Sequence, residues 1–195
     1  MYLWNDAWLV TNTEEAIDPA LPIIDPHHHL WDHANMGLYL VDQLHGDTGG
    51  GHNVVGTVFV ECTWGYRTDG PEQLRPVGET EHVAAAAEQS VAAGGAEILG
   101  IVSFADMTLG DAVDEVLDAH VDAGRGRFRG IRHATALDPD RRVQRAHTRP
   151  TPQLMADPTF RKGVARLGAK GLSFDAWLYH PQIVELVALA QAVPE

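Results

Sequence analysis

The sequence is poor in cysteine, in positive charge and in long apolar runs, and each shortage excludes a class of protein. Cys62 is the only cysteine in 195 residues, so an intrachain disulfide framework cannot form. The 14 Lys and Arg residues are outnumbered by 27 Asp and Glu, and a formal net charge of -13 argues against binding nucleic acid. The N-terminus, MYLWNDAWLV, lacks the basic start of a signal peptide, and no apolar run approaches the ~20 residues of a membrane span. We therefore expect a cytoplasmic protein with no nucleic-acid or membrane partner.

Strand-like and helix-like segments alternate along the chain. Apolar, β-branched runs predict strands at 21–24, 54–60, 98–104, 128–133 and 171–178. Helices are predicted between them, at 79–93, at 111–123 and from Asp157, with a last one from Pro181. This order predicts an α/β fold with a parallel sheet, either doubly wound or a (β/α)8 TIM barrel. A barrel needs eight strands and typically ~250 residues, so this chain would be an incomplete one with about five. We assign 1–20 to an N-terminal extension and 21–195 to the barrel-type domain.

The segment 30–53 is predicted to be a long loop that ends in the glycine cluster 46–51. A glycine cluster can cradle a phosphate where a helix follows it and a Gly-Lys-Ser/Thr ending is present. Here that ending is missing and a strand follows. The cluster is therefore interpreted as part of the loop and not as an anion site.

Three consecutive histidines end the first predicted strand. Side chains at i and i+2 of a strand point to the same face, so His27 and His29 are expected to be paired, with the structural His28 on the opposite face. Two imidazoles at this spacing can bind one divalent cation such as zinc. The alternative is a polar strand end that bonds to backbone carbonyls. The flanking Asp25-Pro26 and Trp31-Asp32 favour a functional site.

The string Ile-Ile-Asp-Pro-His-His-His-Leu-Trp-Asp at 23–32 closely resembles the opening motif of amidohydrolase-related TIM-barrel hydrolases. That family includes sugar-lactone, pyrone-dicarboxylate and sulfomuconolactone hydrolases and a zinc-dependent aminocarboxymuconate semialdehyde decarboxylase. The lactonase-like branch is similar at four further segments, and the resemblance covers nearly all of the chain from about residue 21. These segments are Gly-His-Asn-Val-Val (51–55), Val-Phe-Val-Glu-Cys (58–62), Gly-Ile-Arg-His (130–133) and Leu-Ser-Phe-Asp (172–175).

The resemblance implies a hydrolase of a lactone or related cyclic ester, in some members a carboxylated one. His27 and His29 would be the ligands that the first strand supplies to a catalytic metal. Zinc is the metal expected first, and its role would be to activate water. In members that work without metal they would instead polarise the carbonyl. Decarboxylation is the alternative reaction within the family. The expected partner is a small-molecule substrate.

Two charged residues at strand ends are further candidates for the site. Glu61 closes the second strand and is interpreted as a metal ligand, an acceptor for substrate hydroxyls or an exposed strand end. Arg132 ends the fourth strand, and its planar guanidinium suits a substrate carboxylate. A register shift of one residue would put His133 in its place. Cys62 is expected to be a small core residue with an inert thiol.

Candidates also follow the fifth predicted strand. Asp175 and Trp177 are expected to contact substrate. His180 precedes a proline at a helix start, as the fifth-strand histidine does in zinc-dependent relatives, and is either a third metal ligand or a loop-end histidine.

The family pattern continues with a sixth-strand Asp-His-x-Gly-like segment and a final-strand aspartate, and neither has a match here. Hydrolysis needs a base to deliver water, so the base is expected beyond Glu195 and the chain is expected to be an inactive N-terminal fragment. The alternative is a non-catalytic module that binds a metal, or that docks with another chain, such as a second copy, through the open sheet edge.

Overall fold

The computed structural model describes residues 6–12, 14–140, 142–143 and 146–194. Five parallel strands form one curled sheet, in which each strand pairs with the next in chain order. The strands are β1 (Pro22–His28), β4 (Asn53–Val60), β5 (Glu97–Ser103), β6 (Phe128–Ile131) and β7 (Ser173–Phe174). Two short strands, β2 (Trp31–His33) and β3 (Gly37–Tyr39), pair as an antiparallel hairpin. The predicted α/β fold, an incomplete TIM barrel with five strands, is confirmed.

Helices precede, separate and follow the strands of the sheet. They are α1 (Asp6–Leu9), α2 (Val41–Thr48), α3 (Val77–Ala92), α4 (Asp114–Ala123), α5 (Pro158–Ala169) and α6 (Ile183–Ala192). The start of α5 shows why local sequence sets these boundaries: the Asp157 carboxylate accepts the amides of Thr159 and Phe160, and Pro158 occupies the first turn. No helix in the described part of the chain is long and apolar enough to cross a bilayer.

Two apolar clusters attach the helices to the sheet. One joins α4, α5 and α6 to β6 around Leu117, Ile131 and Phe160. The other joins α2 and α3 to β4 and β5 around Leu44 and Phe59. The two clusters therefore pack β4, β5 and β6 against the helices and fix these strands from the helical side of the sheet.

The prediction of a loop over residues 30–53 was wrong. That segment contains the β2–β3 hairpin and helix α2, and Gly46 lies inside the helix. Val41 and Leu44 are almost fully buried, and this burial outweighs the low helix propensity of glycine. The helix predicted at 111–123 begins later in the structure, since α4 starts at Asp114. A 3-10 segment, Met107–Val113, precedes α4, because Gly110 breaks the helix with a φ of +57°.

Candidate functional site

The carboxyl ends of the parallel strands meet at one edge of the sheet, and a cleft of about 480 Å³ opens there. Five of the residues singled out in the sequence share this cleft, although they come from three strand ends that are far apart in the chain. The lining residues are His27, His29, Val60, Arg132, Asp175, Ala176 and Trp177.

His27 and His29 meet through their Nε2 atoms, which lie 3.2 Å apart. His29 Nδ1 is 2.7 Å from the carbonyl oxygen of Val60, so this nitrogen carries the proton and donates it. The Nε2 atom of a neutral His29 then holds a lone pair, which accepts the Nε2–H of His27. Burial lowers the pKa of both imidazoles below the usual value, and the nearby charge of Arg132 lowers both further. The pair is therefore neutral at neutral pH, with one donor group of His27 close to the cleft.

His28 points to the opposite side of the strand. Its ring is 7% exposed, packs edge-on against Phe59 and bonds through Nε2 to the Thr57 hydroxyl at 3.0 Å. Burial lowers the pKa of His28 to about 4. Its surroundings are those of a core residue.

The histidine pair supplies too few ligands for a complete metal site. Catalytic zinc is bound by three protein ligands, and within the described ranges no group of three His, Cys, Asp or Glu side chains could hold a metal. His180 is not brought to the pair: it is exposed and opens the 3-10 turn His180–Gln182. Gln182 ties that turn to the loop after β6 by bonding to Thr135 O and Leu137 N. The residues present therefore do not fit a catalytic metal by themselves.

Arg132 is held at the edge of the cleft by Glu61. Its Nε donates to Glu61 Oε1 at 2.8 Å, and its Nη2 donates to the Glu61 backbone oxygen. The guanidinium carbon lies over the Trp177 ring, 5.0 Å from its centre, a cation–π contact. Glu61 is fully buried, whereas the Arg132 side chain is 11% exposed. The bonds to Glu61 use two of five N–H groups, which leaves donors for a ligand in the cleft.

The alternative residue at this strand end, His133, faces the core. It is 4% exposed, and its Nδ1 accepts the Met107 amide at 3.1 Å. Burial lowers its pKa to about 4. The register of this strand therefore places Arg132, and not His133, in the cleft.

Two residues near the cleft carried no local signal in the sequence. His147 Nε2 lies 3.6 Å from Glu61 Oε2, and only the fold of the loop after β6 brings the two together. Glu79 is fully buried in the first turn of α3 and accepts the amides of Cys62 and Trp64. An acid in a first turn is ordinarily a solvated one, so its burial was not predictable. Cys62 is half-buried and burial raises the pKa of its thiol, as expected for an inert side chain.

Comparison with known proteins supports the fold and gives no established activity. No model of a known protein family matches the chain. It is 29% identical over 188 residues to an uncharacterized protein of Sinorhizobium fredii, y4mH, covering 90% of this chain and 60% of that one.

Three solved structures are similar in fold. An amidohydrolase from Burkholderia multivorans was crystallised with bound HEPES (TM-score 0.55, 23% identity) and with bound zinc (TM-score 0.58, 22% identity). Each alignment covers 86% of this chain, and 52% and 53% of those chains. Amidohydrolase 2 from Bifidobacterium longum subsp. infantis has a TM-score of 0.52 at 19% identity, covering 90% of this chain and 59% of that one. The chain has the fold of part of an amidohydrolase barrel. It spans between half and three fifths of the length of these proteins.

Proposed function

We propose that this chain contributes the His27–His29 and Arg132 part of the active site of a hydrolase that acts on a carboxylated lactone or related cyclic ester. The observation that carries the proposal is the convergence of two neutral imidazoles, a fixed guanidinium and an aromatic ring in one cleft. Amidohydrolase-barrel neighbours, one crystallised with zinc, support the hydrolase class.

The imidazole pair suits polarisation of a carbonyl. When substrate is bound, the Nε2–H of His27 exchanges His29 for a substrate oxygen as its acceptor. Such a donor stabilises the negative charge that develops on the carbonyl oxygen when water attacks. Where a divalent metal is bound, His27 and His29 would hold it, and it would supply stronger polarisation of the carbonyl. It would require further ligands from outside the described residues.

Arg132 is suited to binding the carboxylate of the substrate. The carboxylate of Glu61 already offsets the positive charge of Arg132. Arg132 therefore selects an anionic substrate through its directed N–H groups more than through the net charge of the site. The guanidinium also makes a cation–π contact with the Trp177 ring, which lines the same cleft. We assign Asp175, which lines the same cleft, to contact with the substrate, and the base that activates water is not among the residues assigned to this cleft.

The test compares two small lactones, γ-carboxy-γ-butyrolactone and its uncharged parent γ-butyrolactone, with the longest chain that the gene encodes. We expect hydrolysis with a preference for the carboxylated compound. In R132K, which keeps a positive charge but loses the planar fork, the preference should fall by about tenfold or more. The substrate assignment is overturned if neither lactone is hydrolysed. It is also overturned if the parent and R132K proteins each hydrolyse the two lactones at equal rates.

A further inference from the structure

The loop that follows β4 is in an unfavourable backbone conformation and is held from outside. Thr63 has a φ of +67°, a left-handed conformation that is unfavourable for a β-branched residue, and Gly65 also turns with a φ of +71°, which glycine adopts freely. The Glu61 amide donates to the Val102 oxygen of β5 at 2.8 Å, so the sheet anchors Glu61 on its N-terminal side. On its C-terminal side Glu61 is joined to this loop through Cys62, and a relaxation of the loop would displace the Glu61 backbone oxygen and side chain to which Arg132 is bonded.

The first turn of α3 contacts this loop directly. Glu79 Oε1 accepts the amide of Cys62 at 3.0 Å and that of Trp64 at 2.8 Å. Next to it, a Cβ added at Gly78 would lie 2.6 Å from the Gly65 oxygen, so the loop backbone packs against the helix where no side chain intervenes. Helix α3 and the loop therefore form one unit.

The Glu79 side chain that holds the loop lies in surroundings that are unfavourable for a carboxylate. Glu79 is fully buried, and its second oxygen has no hydrogen-bond partner in the described part of the chain. Burial raises the pKa of Glu79 to about 7, with a further contribution from the negative charge of Glu61. An acid that served only to stabilise the start of the helix could do so while exposed, without the free-energy cost of burying a carboxylate.

We propose that Glu79 is a positioning residue of the cleft: by binding the amides of Cys62 and Trp64 it keeps Glu61 in place to fix Arg132 beside the histidine pair. The inference rests on the proposed function, because it takes Arg132 to bind substrate. Its geometric content, that Glu79 controls the Glu61–Arg132 bond, does not depend on any activity.

The first test observes that bond in the 195-residue chain by ¹⁵N NMR of the Arg132 Nε–H group, identified by its loss in R132K. E79L removes the acceptor, E79Q keeps an acceptor oxygen, and T80V removes an equally buried polar group of the same helix that bonds instead to Ser103 and His120. We expect the resonance to be lost in E79L and kept in E79Q and T80V. The amides of Cys62 and Trp64 should exchange about tenfold faster in E79L, as for one lost hydrogen bond.

The proposal is overturned if E79L retains the Arg132 resonance, or if T80V loses it as E79L does. If E79L does not fold, E79D decides, because its carboxylate is one methylene short of the loop amides. A displaced Arg132 resonance in E79D supports the proposal, and an unchanged one overturns it. Binding of γ-carboxy-γ-butyrolactone is measured on the same variants. If the Arg132 resonance behaves as expected but no variant, the parent included, binds or hydrolyses the lactone, the proposed function fails and the role of Glu79 stands.

Discussion

The Nε of Arg132 donates a hydrogen bond of 2.8 Å to Glu61 Oε1, joining two residues 71 positions apart in one buried ion pair. The bond connects the ends of β4 and β6 and fixes the Arg132 guanidinium. Among the residues that line the cleft, only this guanidinium offers planar paired donors to a carboxylate. It is therefore both a contribution to the stability of the sheet edge and a determinant of the site.

Removing Glu61 should destabilise the fold strongly. E61A leaves the Arg132 guanidinium buried without its partner, and breaking a buried pair in this way costs about 3–5 kcal/mol. E61Q, which keeps an acceptor, should cost less. The free energy of unfolding in urea measures both. The matched control is D114N, which breaks the pair of Asp114 with Arg166 at a partly exposed position and should have a much smaller effect. Equal losses in E61A and D114N would contradict the buried pair.

The contribution of His120 to stability should fall as the pH is lowered from about 6.5 towards 4. Burial lowers the pKa of His120 to about 4, so between these values the unfolded chain binds a proton that the folded one does not. The free energy contributed is complete above pH 6.5 and is lost as the pH falls through the folded pKa. Glu79 acts in the opposite sense, because its folded pKa of about 7 is raised. The comparison is therefore between parent and variant: H120Q should reduce the slope by up to about 1.4 kcal/mol per pH unit. An unchanged slope would exclude a buried neutral His120.

Zinc should bind this chain weakly and through the histidine pair alone. Two imidazoles provide fewer ligands than a catalytic site uses, and His180 lies outside the cleft. In calorimetric titrations, H27A should weaken zinc binding by about tenfold or more, whereas H180A should leave it unchanged. If H180A weakened binding as much as H27A, His180 would be the third ligand and its placement in the structure would be wrong.

Two glycines in helices should respond to alanine with opposite signs. A Cβ at Gly78 would meet the Gly65 oxygen at 2.6 Å and the Arg67 amide nitrogen at 2.7 Å, so G78A should destabilise by about 1–3 kcal/mol through displacement of the loop. Gly46 in α2 has open space, so G46A should stabilise by about 0.5–1 kcal/mol through helix propensity. Thermal unfolding of the two variants checks this. A stabilising G78A would show that the loop does not contact the helix.

The sequence predicted those features that depend on local pattern. Each strand of the sheet was located by its apolar run, and the start of α5 by Asp157 and Pro158. The i, i+2 spacing was sufficient to separate His27 and His29 from His28, because strand geometry alone decides which face a side chain takes.

Features that depend on distant residues could not be predicted. Helix α2 is stabilised by burial of Val41 and Leu44, although its glycines argue locally for a loop. In α4 the apolar Val121 is 46% exposed, whereas the neighbouring His120 is buried, because Thr80 and the Phe104 oxygen satisfy the ring nitrogens of His120. The burial of Glu79 and the cation–π contact of Arg132 with Trp177 likewise arise from contacts between distant segments.

The central claim, that the histidine pair polarises a lactone carbonyl, is tested most directly by the hydrolysis rate of γ-carboxy-γ-butyrolactone with His27 and His29 both replaced by alanine. The measurement uses the longest chain that the gene encodes, with H52A as control, since His52 is exposed and precedes β4 at the other end of the sheet. We predict that H52A hydrolyses the lactone at the parent rate and that the double variant loses about a hundredfold or more. Hydrolysis at the parent rate by the double variant would contradict the account.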